Sequence, residues 1–240
     1  MLVYGINAVI EALSSDTRRI ERITIAKGKA GRRLQQIIDQ ARAAKIPIHF
    51  EPEPALERKA GTRAHQSVIA EIAAAELASL DDVLERRPRL LLLVDGVEDP
   101  HNLGAVIRTA EAAGVEAVLL PNRHTCGITP AVVKTSAGAA LHLPVCRVGN
   151  LVQTIKTLKE SGFWVVGLDM AGESRFDEID TSLPLAVVVG GESRGVRRLV
   201  RENCDFLLGL PMKGNVSSLN LSVAAGILLY TLRLRHEKLI

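Results

Sequence analysis

Hydrophobic and polar positions from residue 90 onward form a regular alternation of short apolar runs and longer amphipathic stretches. The apolar runs are LLLLVDG, EAVLLP, LPVCRV, FWVVGLD, PLAVVVGGE and DFLLGLP. Helical periodicity is found in NLGAVIRTAEAAG, TPAVVKTSAGAA, NLVQTIKTLKESG and VRRLVREN, and a long apolar helix follows the last run from near Ser218. Continuous apolar strands separated by helices are typical of a mostly parallel sheet covered on both faces. The pattern predicts an α/β fold whose ligand binds beyond the carboxyl ends of the strands.

The first 75 residues predict a separate, smaller α/β unit. Its helical stretches are NAVIEAL and RRLQQIIDQARAAK, and its strand-like stretches are IERITIA, IPIHF and SVIAEIA. The next stretch, AAAELASLDDVLERRPR, is charged and helix-forming, with Pro88 as a stop. We therefore expect a domain at 1–75, a linker or linker helix at 76–88, and a larger domain at 89–240.

Composition narrows the choice of function. The chain has 240 residues, of which 47% are hydrophobic and 24% charged, as is ordinary for a globular protein. Aromatic residues are only 3%, which argues against binding nucleic acid mainly by stacking bases. The N-terminus MLVYGINAVIEAL lacks a basic start, and no apolar run approaches the length of a membrane span. We expect a cytoplasmic protein without a membrane partner.

The three cysteines, Cys126, Cys146 and Cys204, are scattered along the chain. They form no C-x-x-C motif and have no metal-ligand spacing to a histidine. We expect small core residues in a reducing compartment, and no metal site.

Basic charge is concentrated in the first 75 residues. They carry 12 Lys and Arg against 8 Asp and Glu, whereas the remainder carries 18 against 19. A cluster within this part has Glu21 as its only local acid, and such a cluster can neutralise phosphates. RNA contact and a solvated basic face are equally open on charge alone. The cluster consists of Arg18, Arg19, Arg22, Lys27, Lys29, Arg32 and Arg33.

Three predicted strand ends carry polar residues and glycines. VDGVEDPHNLGAVIRTAEAAG (94–114) places Asn102 at a cap position and Arg108 on the second helical turn. We expect His101 to form a hydrogen bond within the loop rather than to act in catalysis. VVVGGESRGV (187–196) places Glu192 after a glycine pair, without the G-x-G-x-x-G of a nicotinamide dehydrogenase or a Walker loop. In LGLPMKGNVSSLNLS (208–222) a strand ends near Leu210, and the polar residues exceed what a helix cap needs. Together the three ends predict one pocket.

These segments resemble the three motifs of the SpoU (TrmH-type) RNA ribose 2′-O-methyltransferases of the SPOUT superfamily. DPHNLGAVIRTAEAAG, GGESRG and LPMKGNVSSLNLSVAAG carry the resemblance, in the family's order and spacing, across residues 90–240. YGINAVIEAL and GTRAHQSVIA are similar, more loosely, to the N-terminal RNA-binding domain of the subgroup that methylates a guanosine ribose in large-subunit (23S) ribosomal RNA. The resemblance implies methyl transfer from S-adenosylmethionine to a ribose 2′-OH, with no metal.

For the fold, the resemblance implies a parallel α/β sheet with a trefoil knot near the C-terminus, after a small RNA-binding domain. It also implies a homodimer whose active site lies at or near the subunit interface. The final helix is apolar through Val223, Ile227, Leu228 and Tyr230, which fits burial in a dimer. Burial within one subunit would give the same pattern.

For the site, the resemblance places Arg108 beside the 2′-OH and the adjacent phosphate. Because a guanidinium stays protonated in proteins, we expect it to hold phosphate and stabilise charge on oxygen rather than act as a base. Hydrogen bonds from the other polar motif residues would orient Arg108 and the ribose. Those residues are Asn102, Glu192, Ser218 and Asn220; the backbone positions that match the family's donor site are Gly190, Leu210 and Leu219. Ser217 or Ser218 is expected to cap the last helix.

One departure and several alternatives stay open. Many relatives carry E-G-x-G in the second motif, whereas Ser193 and Arg194 follow Glu192 in this chain. This leaves the RNA contact of that loop open. Transfer RNA is an alternative substrate, and a catalytically silent RNA-binding protein is an alternative class. The nucleotide, and the choice between free RNA and a precursor ribosomal particle, stay open too.

Overall fold

The computed structural model describes residues 1–73, 77–191, 195–216 and 218–239. Its contacts divide the chain into two compact units, one formed by Met1–Glu76 with Ile128–His142 and the other by Leu77–Gly127 with Leu143–Ile240. The predicted linker contains a helix, Leu80–Glu85, whose Val83 is part of the core of the second unit. The segment Ile128–His142 belongs to the first unit, whereas the predicted layout places it in the larger domain. The domain boundaries 1–75, 76–88 and 89–240 stay a prediction.

The first unit is built on a four-stranded sheet of order β1-β4-β2-β3. β1 (Leu2–Tyr4) and β2 (Ile20–Ala26) both run antiparallel to β4 (Val68–Ile72), and β3 (Ile48–Glu51) runs parallel to β2. The helices are α1 (Ile6–Ser15), α2 (Arg32–Ala43), α3 (Glu53–Ala60) and α6 (Pro130–Thr135). Sequence patterning predicted neither the three-residue strand β1 nor α3.

The second unit contains a six-stranded sheet of order β10-β8-β9-β5-β6-β7, in which every pair is parallel. This confirms the predicted α/β fold with a mostly parallel sheet, and each of the six apolar runs contains one strand. Every residue of the two central strands is buried except the first of β5, as expected for a sheet covered on both faces. The strands are β5 (Leu90–Asp95), β6 (Ala117–Pro121), β7 (Val145–Val148), β8 (Trp164–Leu168), β9 (Leu185–Gly190) and β10 (Phe206–Leu208).

Helices of the second unit are α4 (Leu80–Glu85), α5 (Pro100–Ala112), α7 (Leu151–Glu160), α8 (Arg198–Arg201) and α9 (Leu221–His236). The stretch TPAVVKTSAGAA, predicted as one helix, lies in the first unit and is interrupted. There α6 ends at Thr135, and a 3₁₀ turn begins at Ala139. Ala137 and Gly138 between them have φ values of 54° and 96°, which no α-helix accommodates. No helix in the described part of the chain is long and apolar enough to cross a membrane.

Candidate functional site

The second unit holds a cavity of about 650 Å³ beyond the carboxyl ends of β8, β9 and β10. Five of the predicted site residues line it: Gly190, Leu210, Ser218, Leu219 and Asn220. They come from two of the three predicted strand ends. The other described lining residues are Leu168, Asp169, Met170, Gly191, Gly195, Arg201, Met212, Leu221 and Ala224.

Glycines let the backbone fold tightly beside this cavity. A Cβ atom added to Gly190 would lie 2.0 Å from the carbonyl carbon of Gly195, and one added to Gly191 would lie 2.2 Å from the carbonyl oxygen of Gly96. The Gly191 N–H donates to the Asp95 carbonyl at 2.9 Å, which ties the end of β9 to the end of β5. A side chain at either position would therefore displace backbone, and the space rather than φ requires glycine here.

The first and third motifs meet through two asparagines. The Asn220 side-chain amide donates to the Asn102 Oδ1 at 3.1 Å, and the Asn102 amide donates to the Asp99 Oδ2 at 3.0 Å. Asp99 also accepts from the His101 N–H at 2.9 Å and caps α5. The structure therefore brings together two residues that are 118 positions apart.

The caps differ from those that the sequence predicted. α5 begins at Pro100 with Asp99 as its N-cap, so Asn102 lies in the first turn rather than at the cap. α9 begins at Leu221, and its N-cap is Asn220, whose Oδ1 accepts from the Ser222 N–H at 2.9 Å. Ser218 is exposed in the preceding loop and is not the cap, and Ser217 lies outside the described residues. Asn220 therefore caps α9 and also forms the hydrogen bond to Asn102 of α5.

Arg108 does not line this cavity. Its side chain is exposed on α5 and makes no hydrogen bond or ion pair with another described residue. α5 packs against α9 at this point, because the Thr109 Cγ2 lies 3.3 Å from the position of a Cβ on Gly226. Glu192, the second-motif acid, lies outside the described residues together with Ser193 and Arg194.

An ion pair that the sequence did not predict joins the end of β5 to Arg197, which follows the second motif. Asp95, at the end of β5, is buried and accepts from the Arg197 backbone N–H at 2.9 Å and from its Nε at 2.7 Å. The Arg197 Nη2 lies 2.5 Å from the same carboxylate. A carboxylate directly at a strand end was the available signal, but its partner is 102 residues away.

The segment between β10 and α9 lines the cavity with Leu210, Met212, Ser218 and Leu219, and most of its residues are exposed. Exposed backbone N–H and C=O groups of such a segment can bind either water or a ligand. Leu210, Met212 and Leu219 add apolar surface to this segment, so the wall suits a flat heteroaromatic group with polar edges.

The predicted basic cluster is largely paired in the first unit, which corrects the view that Glu21 is its only local acid. Arg22 contacts Glu71 at 2.7 Å across the antiparallel β2–β4 pair, and Lys29 contacts Glu53 at 2.8 Å. The sheet brings Glu71 beside Arg22, and Glu53, the first residue of α3, reaches Lys29, although both acids are distant along the chain. Arg18 pairs with Asp16, Arg19 donates to the Ala73 carbonyl, and Arg33 donates to Asn7. Lys27 and Arg32 are exposed and have no partner among the described residues.

Of the three cysteines predicted to be core residues, Cys146 is in the core and Cys204 packs against it, whereas Cys126 is half-buried and lies outside this core. Burial raises the pKa of the Cys146 thiol to about 11 and that of Cys204 to about 12, and it also raises the pKa of Cys126. The described residues include no group of three His, Cys, Asp or Glu placed to hold a metal ion.

Two family models match this chain. The SpoU rRNA Methylase family matches residues 89–230, and the model described as RNA 2′-O ribose methyltransferase substrate binding matches residues 2–78. The first match spans all three motifs and more than half of the chain.

Curated relatives and solved structures agree with these matches. A Bacillus subtilis chain that carries the name TrmH family tRNA/rRNA methyltransferase YacO is 44% identical, covering 95% of this chain and 93% of its own. The 23S rRNA (guanosine-2′-O-)-methyltransferase RlmB of Coxiella burnetii is 39% identical, covering 98% and 96%. The AdoMet-bound rRNA methyltransferase structure from Sinorhizobium meliloti superposes with a TM-score of 0.78 at 25% identity, covering 98% and 87%.

Proposed function

The chain belongs to the SpoU rRNA methylase family, and from this premise we propose that it methylates the 2′-OH of a guanosine ribose in 23S ribosomal RNA. The chemistry is that of an RNA 2′-O-ribose methyltransferase with S-adenosylmethionine as methyl donor. The observation that carries the proposal is the cavity at the strand ends, where the second and third motifs meet and where Asn220 holds Asn102 of the first. The RlmB relatives, similar over nearly the whole chain, support the guanosine of 23S RNA.

The cavity fits an adenosyl donor. A volume of about 650 Å³ is within the usual range of small-molecule sites. We propose that Leu210 and Leu219 flank the adenine, and that the backbone of their segment and of Gly190 supplies hydrogen bonds to it. When bound, the donor supplies an electrophilic methyl group on a sulfonium. The protein has to place the ribose oxygen in line with that methyl group and stabilise charge on the oxygen.

We propose that Arg108 stabilises the charge that develops on the ribose oxygen. A guanidinium stays protonated, so it stabilises the developing alkoxide and holds the adjacent phosphate, and the proton leaves by another route. Asn102, Glu192, Ser218 and Asn220 would orient the ribose and Arg108 by hydrogen bonds. Arg108→Lys keeps the charge but loses the planar fork. We expect nearly normal RNA binding and at least about 100-fold slower single-turnover methylation; unchanged turnover would contradict this role.

We propose that a second copy of the chain completes the site. Val223, Ile227 and Tyr230 of α9 are 51%, 42% and 43% exposed and form one apolar stripe at helical spacing. Leu228 on the same helix is buried within the chain. Arg108 is exposed on α5, which packs against the same helix, and it does not line the cavity of its own chain. A homodimer that covers the stripe would let the partner's Arg108 reach this cavity.

Mixing inactive variants tests this arrangement. Arg108→Ala keeps an intact cavity, whereas Ser218→Ala keeps an intact Arg108. If Arg108 acts across the interface, mixed dimers contain one complete site, and about a quarter of wild-type activity returns after subunit exchange. If Arg108 acts within its own chain, both sites of a mixed dimer stay defective, and no activity returns. Sedimentation of each variant confirms that dimers form in both cases.

We propose that residues 1–75 bind RNA and that residues 89–240 carry out catalysis, joined through 76–88. The match to a substrate-binding model over residues 2–78 supports the first assignment. The residues proposed to contact phosphates are Arg18, Arg19, Arg22, Lys27, Lys29, Arg32 and Arg33. Those already paired would have to exchange a carboxylate for a phosphate, whereas Lys27 and Arg32 are available at once. A cytoplasmic location is proposed with the ribosomal RNA substrate.

We also propose that the C-terminal part of the second unit forms a trefoil knot. Threading one loop through another requires backbones to pass closely, and close approaches at glycines in this unit support the proposal. A Cβ on Gly172 would lie 2.4 Å from the carbonyl carbon of Leu208, in addition to the contacts of Gly190 and Gly191. An experimental chain trace that can be pulled straight from both ends would contradict the knot.

Transfer of a radioactive methyl group tests the substrate. We expect incorporation of the methyl group into unmodified 23S RNA and little incorporation into transfer RNA. Nuclease mapping should place the label on the ribose of a guanosine. Preferential labelling of transfer RNA would favour the alternative substrate, which the name of the B. subtilis relative includes. Absence of donor binding in calorimetry would favour a silent RNA-binding protein.

A further inference from the structure

Two charged side chains face the cavity among its described lining residues, and they have opposite signs. Asp169 directly follows β8, and Arg201 is the last residue of α8. The rest of the described lining is apolar, glycine or neutral polar. A pair of charges in an otherwise uncharged site restricts what the site can bind, because a buried charge needs a partner.

The geometry leaves both groups available to a ligand. The Arg201 Nη1 lies 3.6 Å from the Asp169 Oδ2, which is an ionic contact but too long for a hydrogen bond. The other carboxylate oxygen of Asp169 accepts from the Ala171 N–H at 2.9 Å, and the Asp169 N–H donates to the Leu208 carbonyl. Asp169 is thus fixed in place and only 11% exposed at its side chain, with one oxygen free of hydrogen bonds to described residues.

Opposite charges a few ångströms apart match the ends of an α-amino acid. Its carboxylate and ammonium groups are attached to one carbon, so a receptor for both must present a cation and an anion close together. Arginine binds carboxylate in a planar, two-pronged geometry, and aspartate accepts from ammonium. Of the parts of S-adenosylmethionine, only the methionyl end carries this pair of charges.

We propose that Arg201 and Asp169 bind the α-carboxylate and the α-ammonium of the methionyl end of S-adenosylmethionine. The inference rests on the proposed donor site and adds residues to it that lie outside the three motifs. By fixing the amino-acid end, the pair holds the sulfur in one place relative to the strand ends. Both residues act by positioning the donor and not on the reacting atoms.

Three adenosyl ligands that differ in this end provide the test, and each is compared between variant and wild type because decarboxylated S-adenosylmethionine also carries a sulfonium that the other two lack. S-Adenosylhomocysteine carries the amino-acid end, 5′-methylthioadenosine lacks it, and decarboxylated S-adenosylmethionine keeps only its amine. By calorimetry, Arg201→Met should weaken S-adenosylhomocysteine roughly 10- to 100-fold and leave the other two unchanged. Asp169→Asn should weaken S-adenosylhomocysteine and the decarboxylated ligand, and leave methylthioadenosine unchanged. Arg201→Lys should retain part of the affinity.

Arg198→Met is the matched control, because Arg198 lies on the same short helix, pairs with Glu202 at 2.7 Å and does not line the cavity. It should bind all three ligands like the wild type. Equal weakening of all ligands in Arg201→Met would overturn the proposal in favour of a shape effect, and no weakening would overturn it outright. Loss of methylthioadenosine binding in Asp169→Asn would assign that carboxylate to the ribose hydroxyls instead. If the wild-type protein bound none of the three, the proposed donor site itself would fail.

Discussion

Removing the Asp95 carboxylate should cost this fold more than removing any exposed charge. Asp95 accepts from Arg197 through one backbone N–H and two guanidinium nitrogens, at 2.9, 2.7 and 2.5 Å, and its side chain is fully buried. Asp95→Ala removes the acceptor of a partly buried backbone N–H and of the guanidinium, and because Arg197 is half exposed we expect a loss of about 3 kcal/mol, the lower end of the cost of breaking a buried pair. Asp95→Asn keeps an acceptor of the same shape. Because the Arg197 side chain is 46% exposed, its charge can return to water, and we expect a loss of only about 1.5–3 kcal/mol.

Urea unfolding followed by circular dichroism measures these losses as shifts of the midpoint at constant slope. Glu202→Ala is the control, since it breaks the exposed Arg198–Glu202 pair and should change stability by no more than about 0.5 kcal/mol. The total stability of a domain is only about 5–15 kcal/mol, so Asp95→Ala is at risk of not folding, and Asp95→Asn then carries the test. In the folded Asn variant, affinity for S-adenosylhomocysteine should also fall, because Asp95 ties Arg197 to the strand end beside Gly191, which lines the cavity. If Asp95→Asn and Glu202→Ala were equally stable and bound ligand equally well, the Asp95–Arg197 pair would contribute neither to stability nor to ligand binding.

Three further predictions concern separate parts of the chain. Gly190→Ala should destabilise the protein by about 1–3 kcal/mol or more and weaken donor binding, whereas Gly149→Ala, where a Cβ meets open space, should be neutral; equal midpoints in urea would contradict the close approach at Gly190. The pKa of the Cys204 thiol is raised from near 9 in the unfolded chain to about 12 in the folded protein. The stability that this shift contributes is fully present below pH 9 and is lost as the pH rises towards 12, by at most about 1.4 kcal/mol per pH unit. The free energy of unfolding of the wild type minus that of Cys204→Ala should therefore fall across this window, and a flat difference would refute the prediction. Replacing Lys27 and Arg32 by Glu should weaken RNA binding and reduce the salt slope by about 2, and an unchanged slope would remove them from the RNA contact.

Sequence patterning predicted the parallel sheet because its signal is local. A strand buried on both faces is a short run of apolar residues, and each of the six runs contains one strand of the second unit. β1 was missed because three residues, Leu2–Tyr4, are too few to show alternation. The break in TPAVVKTSAGAA was missed because Ala137 adopts a positive φ that its residue type does not favour.

The helix starts were off by two or three residues for a different reason. The third motif offers several residues that could cap α9, and local preference does not choose among Ser218, Asn220 and Ser222. Tertiary structure makes the choice, because Asn220 can cap α9 and reach Asn102 at the same time. Position along the chain could not reveal this contact. The family resemblance did place both residues in one site.

Ion pairs were the least predictable feature, since their partners are set by topology. Asp95 and Arg197 are neighbours because β5 and β9 are adjacent strands, and Arg22 and Glu71 because β2 and β4 are. Predicting either ion pair would require knowing the order of the strands in its sheet first. The same holds for Asp169 and Arg201, whose approach depends on where β8 and α8 end.

In the proposed dimer, the hydrogen bond between Asn102 and Asn220 would connect catalysis to assembly. It joins the first turn of α5 to the cap of α9, so the helix that carries Arg108 and the helix that carries the exposed apolar stripe are fixed to each other. A partner that covers Ile227 and its neighbours would therefore fix the position of α5 as well. Since Arg108 has no described partner within its own chain, dimer formation is the event that could give it one. On this view a variant with a polar residue at Ile227 would bind the donor normally and still fail to methylate, because in the proposed dimer the donor cavity lies within one chain and the reaction site is formed by two.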